Sequence, residues 1–149
     1  MKRDEIERVI DQFFSHANAH DIDGCVACYS DDAELQDPTF PETVHGANRV
    51  REGISSWMAA FPDVRAWVVN RIIDKDQAAV EWGFEGTHQA EYLGVRPSNR
   101  VFRTVTVSHF AFRDGKIVRD FSLFDATALR HLEALANERQ SAIDRRLDS

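Results

Sequence analysis

The sequence predicts an α+β fold: a cone-shaped, curved antiparallel sheet covered by N-terminal helices, with a C-terminal helix following the last strand. Three observations predict it. Apolar residues recur at helical spacing early in the chain and mostly at strand spacing afterwards. The stretch from Ala79 to Phe124 reads as three long strands, the last two joined by an Asp-Gly turn, which makes an antiparallel meander. Several inward positions of that meander are small or polar, so the cone is expected to hold a pocket where a filled core would otherwise lie.

Taken in order, residues 4–19 place Ile6, Val9, Ile10, Phe13, Phe14 and Ala17 on one stripe, with acidic residues before it that suit a helix N-terminus. Asp21-Ile-Asp-Gly24 caps a short second helix through Tyr29, and Ser30-Asp-Asp32 ends it before a strand of Ala33 to Asp37, closed by Pro38. His45-Gly46 leads into a third helix, Asn48 to Ala60, in which Val50, Ile54, Trp57 and Met58 follow helical spacing and Phe61-Pro62-Asp63 stops the run. Val64 to Ile73 is a strand. Ala79 to His88 alternates with period two, placing Trp82, Phe84, Gly86 and His88 on one face and Glu81 and Glu85 on the other. Arg100 to Phe112 puts Thr104, Thr106, Ser108, Phe110 and Phe112 together, and after the Arg113-Asp-Gly-Lys116 turn the chain returns as Ile117 to Phe124. Asp125 caps a final helix carrying Leu129, Leu132, Leu135, Ile143 and Leu147.

At 149 residues the chain is expected to be a single domain, 1–149, in which 130–149 form a polar helical tail. A net charge of −7 disfavours nucleic acid and anionic membrane as partners. No apolar run approaches a membrane span and the start lacks a signal-peptide core, so a cytoplasmic protein is expected. Cys25 and Cys28 have C-x-x-C spacing but lie in a helix, which reads as two small core residues. His16 and His20 are a helical turn apart without a matching carboxylate cluster, and phosphate-loop and nucleophilic-serine motifs are missing, so neither metal nor cofactor is expected.

Gly86-Thr-His88, Glu91-Tyr-Leu-Gly-Val-Arg-Pro97, the Phe112-Arg-Asp-Gly-Lys-Ile117 hairpin and Phe124-Asp125 together resemble the SnoaL-like polyketide cyclases. That group has the nuclear-transport-factor-like cone fold. The front half also resembles ketosteroid isomerase in Asp21-Ile-Asp-Gly24, Tyr29-Ser-Asp-Asp-Ala33 and Gln36-Asp-Pro38. The second resemblance implies Asp37 as general base and sets Phe13 and Ser108 at the oxyanion-donor positions, where the strong donors are missing. The first sets Ser122 at the cyclases' acid/base position. Asp120 stands two residues earlier on the same face and is expected to take over that role.

From the residues themselves, His88 shares the parity of Trp82 and Phe84 and titrates in a range suited to proton transfer. Asp37 is either a turn residue before Pro38 or, in an apolar-walled pocket, a base with a raised pKa. Asp120 must face the same way as Ser122 and Phe124. The candidate catalytic residues are thus Asp37, His88 and Asp120, and Phe13, Trp57, Trp82, Phe84, Ser108, Phe110, Ser122 and Phe124 are the candidate substrate contacts. Two functions fit: a cofactor-independent cyclase or isomerase moving a proton next to a carbonyl of a small hydrophobic, polyketide-like substrate, or a non-catalytic module binding a hydrophobic ligand or dimerising. Val101, Val105 and Val107, opposite Phe110 and Phe112, leave apolar surface on the outer face of the sheet and point to a homodimer.

Overall fold

The structure, a computed structural model, describes residues 1–147 apart from the side chains of Leu135, Ala136, Arg139 and Gln140. Leu135 of the expected apolar stripe and the last two residues of the chain therefore lie outside the described residues. In chain order the elements are α1 (Arg3–Asn18), α2 (Ile22–Ala27), β1 (Tyr29–Asp37), β2 (Phe40–His45), α3 (Ala47–Ala60), β3 (Arg65–Asp74), β4 (Gln77–Thr87), β5 (Val101–Arg113), β6 (Lys116–Phe124) and α4 (Thr127–Leu147). The strands form one curved, unclosed six-stranded sheet in the order β2-β1-β6-β5-β4-β3. This is the α+β cone expected, with α1 burying Ile6, Val9, Ile10, Phe13 and Phe14 and α3 burying Val50, Ile54, Trp57 and Met58. The Asp-Gly turn behaves as its residues require: Asp114 and Gly115 both take positive φ, 51° and 77°.

Three details differ from the expectation. The second helix stops at Ala27, and β1 begins at Tyr29, where the Ile117 N–H donates to the Cys28 carbonyl at 2.8 Å and Tyr29 comes level with Ile117. The resulting β1–β6 pair is parallel, so the sheet is antiparallel everywhere but there. Residues 40–45, assigned to no element from sequence, form β2, an edge strand of which only Phe40 is buried. An edge strand accommodates Pro41, which could not serve a central ladder.

Cys25 and Cys28 are free and buried, and burial pushes the Cys25 thiol up to about 12, the behaviour of inert core residues. His16 contacts the Asp21 carboxylate and His20 the Val64 carbonyl, so each serves a loop. No helix among the described residues is long and apolar enough to cross a membrane.

Candidate active site

The concave face holds a cavity of about 70 Å³ between the sheet and helices α1 and α3. Its walls are aromatic and aliphatic: Phe13, Leu35, Val50, Ile54, Trp57, Trp82, Phe84 and Phe124. The polar groups among them are few, and two converge on one carboxyl. Asp120, 7% exposed, lies on β6 level with Phe110 of β5 and Leu35 of β1. The Tyr29 hydroxyl donates to its Oδ2 at 2.6 Å and the Ser122 hydroxyl to its Oδ1 at 2.6 Å. Behind Ser122 stands Ser108, Oγ to Oγ 2.6 Å, which accepts the Trp82 indole N–H at 2.8 Å. Because an indole only donates, and Ser122 gives its one proton to Asp120, Ser108 must donate to Ser122, and the chain runs in one direction toward the carboxylate. Burial pushes the Asp120 carboxyl up to about 6; the Ser122 and Tyr29 hydrogen bonds oppose the rise and the nearby Asp37 charge adds to it. Tyr29, raised well above an ordinary phenol by burial and by the Asp120 charge, stays protonated and so remains a donor.

Asp37 reaches the same cavity from the end of β1. Its Oδ1 accepts the backbone N–H groups of Thr39, at 2.7 Å, and Phe40, at 3.1 Å, closing the turn into β2. The turn reading of this residue therefore holds, and its side chain also borders the apolar cavity. Burial raises its pKa, against the two turn hydrogen bonds that hold it down. Gly53 of α3 faces it across the cavity: a Cβ there would stand 3.1 Å from the Phe40 ring and 4.0 Å from Asp37 Oδ2. Past Pro38 the cavity adjoins a recess lined by Thr39, Leu93, Gly94, Val95, Ala126 and Arg130.

Of the expected site residues, Asp37, Asp120, Phe13, Trp57, Trp82, Phe84, Ser122 and Phe124 line this cavity, whereas His88, Ser108 and Phe110 do not. His88 has the inward parity expected, but it lies just past the end of β4, fully buried, with its ring 5.6 Å from that of Phe61. Its Nδ1 accepts the Ser98 N–H at 3.3 Å, its N–H bonds the Arg100 carbonyl and its carbonyl the Asn99 N–H, so it pins the 88–100 loop. Burial holds its pKa below the usual histidine value, against the Ala90 carbonyl, which favours the charged ring. Asp63 assists this anchoring by accepting both the N–H and the hydroxyl of Thr87, each at 2.7 Å. Phe110 sits one row beyond Ser108, with its ring against that of Phe112. His109 leaves the pocket as its parity requires and meets Gln77 outside.

Residues 10–120 match the family described as the SnoaL-like domain. The chain belongs to that family. Among solved structures similar to this chain, AclR from Streptomyces galilaeus, a provisional hydroxylase, superposes with a TM-score of 0.78 at 22% identity, over 89% of this chain and 98% of its own. IdmH from Streptomyces antibioticus, a provisional polyketide cyclase, gives 0.70 at 23% identity, over 85% of this chain and 96% of its own. TerC, co-crystallised with polyporic acid, gives 0.69 at 20% identity, over 87% and 98%. No curated protein matches the chain in sequence. At these identities the likeness fixes the nuclear-transport-factor-like fold and leaves the chemistry to the side chains.

Within this SnoaL-like cavity, sequence reasoning missed Tyr29, Tyr92 and Thr106 as site residues. Tyr29 was hidden by its placement at the end of a helix; its odd-numbered spacing with Ala33, Leu35 and Asp37 was the available signal. Tyr92 comes from the 88–100 loop and stacks on Phe124, 6.3 Å between ring centres, a contact with no periodic trace. Thr106 has the parity of Ser108 and lies opposite both Trp82 and Phe124.

Proposed function

We propose that this SnoaL-like chain is an acid/base enzyme that moves a proton next to a carbonyl of a small hydrophobic, polyketide-like substrate, giving cyclisation or isomerisation. The observation that carries the reading is Asp120: a carboxyl buried against an aromatic cavity, with a pKa of about 6 and both oxygens held by hydroxyl donors. A carboxylate so placed is ionised near neutrality yet a far better base than an exposed one. It takes a proton from carbon, and the hydroxyls of Tyr29 and Ser122 hold it in place as its charge falls. The resulting carboxylic acid returns the proton at another position, so the protein ends as it began. Asp37, whose Oδ1 is engaged in the turn, contributes negative charge that raises the basicity of Asp120. Ser108 acts through Ser122 and does not reach the substrate. The functional unit is a homodimer, joined through the outer face of the sheet.

Deuterium uptake from D2O into small cyclic ketones, followed by NMR, tests the reading. The wild type should accelerate exchange, and Asp120→Asn, which keeps shape but cannot cycle a proton, should lose about 100-fold or more of that rate. Equal rates in the two proteins would leave hydrophobic-ligand binding without chemistry as the function.

A further inference from the structure

The cavity and the recess beside it carry opposite charges. Among the described residues, the charged groups lining the cavity are two carboxylates, Asp37 and Asp120, with no cation beside them. The recess, about 420 Å³, has a single charged residue on its wall, Arg130. Pro38 borders both spaces, and Thr39, whose N–H binds Asp37, lines the recess, so the turn between β1 and β2 is a wall they share. Gly94 keeps the recess open: it takes φ +76°, and a Cβ there would meet nothing within 4 Å.

The start of α4 fixes Arg130 at this junction. Its N–H bonds the Ala126 carbonyl at 3.4 Å, which sets the two residues on one side of the first turn, and the neighbouring Leu129 is fully buried and anchors that turn to the body. The guanidinium has no ion-pair partner among the described residues. The acids nearest to it in sequence are engaged elsewhere: Asp125 Oδ1 accepts the Thr127 N–H at 2.9 Å, and Glu133 pairs at 3.2 Å with Arg96, which also bonds Asn137. An exposed arginine is ordinary on a protein surface, but this one stands beside an acidic cavity in a chain of net charge −7. An anionic group is repelled by that cavity and attracted at Arg130, so the layout of charge orients a guest, with a neutral apolar head inside and an anionic tail in the recess.

We infer that Arg130 binds a carboxylate tail of the substrate, so that the natural substrate carries a free acid and not an ester or amide at the end that stays outside the cavity. A guanidinium meets a carboxylate through two parallel N–H···O bonds, a match that an ester cannot make. That the head is a ketone rests on the acid/base reading of Asp120; the tail site rests on the recess and its arginine. Arg130 determines specificity in this assignment and takes no part in the proton transfer.

The test compares 3-(3-oxocyclohexyl)propanoate with its methyl ester, the same head and tail without the charge. Trp57 and Trp82 line the cavity, so their fluorescence reports entry of the head for both probes. At low salt the acid should bind about fivefold tighter than the ester, the scale of an exposed but well-oriented ion pair. Raising the salt from about 20 to about 500 mM should erase most of that preference. Arg130→Gln should bring the two probes to within about twofold of each other, and Arg130→Glu should make the ester the tighter ligand. The inference is overturned if wild type binds acid and ester equally, if Arg130→Gln keeps the preference, or if neither probe binds up to its solubility limit. Asp120→Asn should keep the acid preference while losing deuterium exchange into the ring. Exchange without an acid preference therefore sinks the Arg130 site alone, and an acid preference without exchange sinks the acid/base reading alone.

Discussion

Asp120 shows how one buried carboxyl ties stability to pH. Its folded pKa of about 6 lies above the ordinary carboxyl value of 3.8, so the folded protein holds the proton more tightly than the unfolded chain does. The stability it contributes is fully present below about pH 4 and is lost as pH rises through about 6; the gap corresponds to roughly 3 kcal/mol. Asp120→Asn avoids that loss, since its amide oxygen still accepts the Ser122 hydroxyl and its N–H faces the Tyr29 oxygen, as the neutral acid does. Unfolding free energies from urea titration should match wild type near pH 4 and exceed it by about 1–3 kcal/mol at pH 7.5. A variant less stable than wild type at pH 7.5 would contradict this account. Tyr29→Phe should do the opposite to the base: losing a donor to the charged form lifts the Asp120 pKa, so the pH midpoint of ketone exchange should move above 6. Asp120 was legible in the sequence because parity with Phe124 sufficed. His88 was half legible. Parity gave its face correctly, but parity says nothing of depth, and four residues beyond Phe84 is about 13 Å further along the strand, outside the cavity.

At the scale of elements, the β5–β6 hairpin carries Ser108, Ser122 and Asp120, so its turn governs the whole polar chain. Gly115 holds φ at +77°, with nothing within 4 Å of where a Cβ would stand. Gly115→Ala meets only backbone strain there and should cost about 1 kcal/mol in thermal or urea unfolding while leaving ketone exchange unchanged. A loss of exchange with stability intact would show that the turn sets the register of Asp120 more delicately than the ladder suggests. This hairpin and β4 were readable because period-two alternation and an Asp-Gly pair are local signals. The β2 strand was not, since Pro41, Glu42 and Thr43 read as a loop and its pairing exists only once β1 is in place. Nor could the parallel β1–β6 contact be read: it joins Leu35 to Asp120, far apart in the chain, through backbone bonds that any residues could make. The same distance hid Tyr29, whose role depends on that pairing.

For the whole molecule, the outer face of the sheet is the feature that leaves the largest apolar side chains exposed among the described residues. Val101, Val105, Val107 and Leu123 are 53–65% exposed, and Ile72 of β3 adds another 65%. Val105 lies in register with Gly83 and Trp67, and Val107 with Leu123 on one side and Glu81 on the other, so an apolar band runs from Trp67 through Val105 and Val107 to Leu123 with Glu81 at its margin. Trp67 folds over Gly83, where a Cβ would fall 2.5 Å from its ring, and Arg103 stacks on the same indole at 5.0 Å, so the surface is flattened rather than ridged. A stable dimer buries about 800 Å² per partner, and a flat face with an apolar band meets its own copy through one two-fold axis. Sedimentation at micromolar concentration should therefore give twice the 17.0 kDa chain mass. Replacing Val105 and Val107 together by Asp places buried, unpaired charges on both sides of the axis and should return the protein to one copy, with the cavity on the opposite face still binding cyclic ketones. A wild-type protein that sediments as a monomer would leave these valines without the role assigned to them.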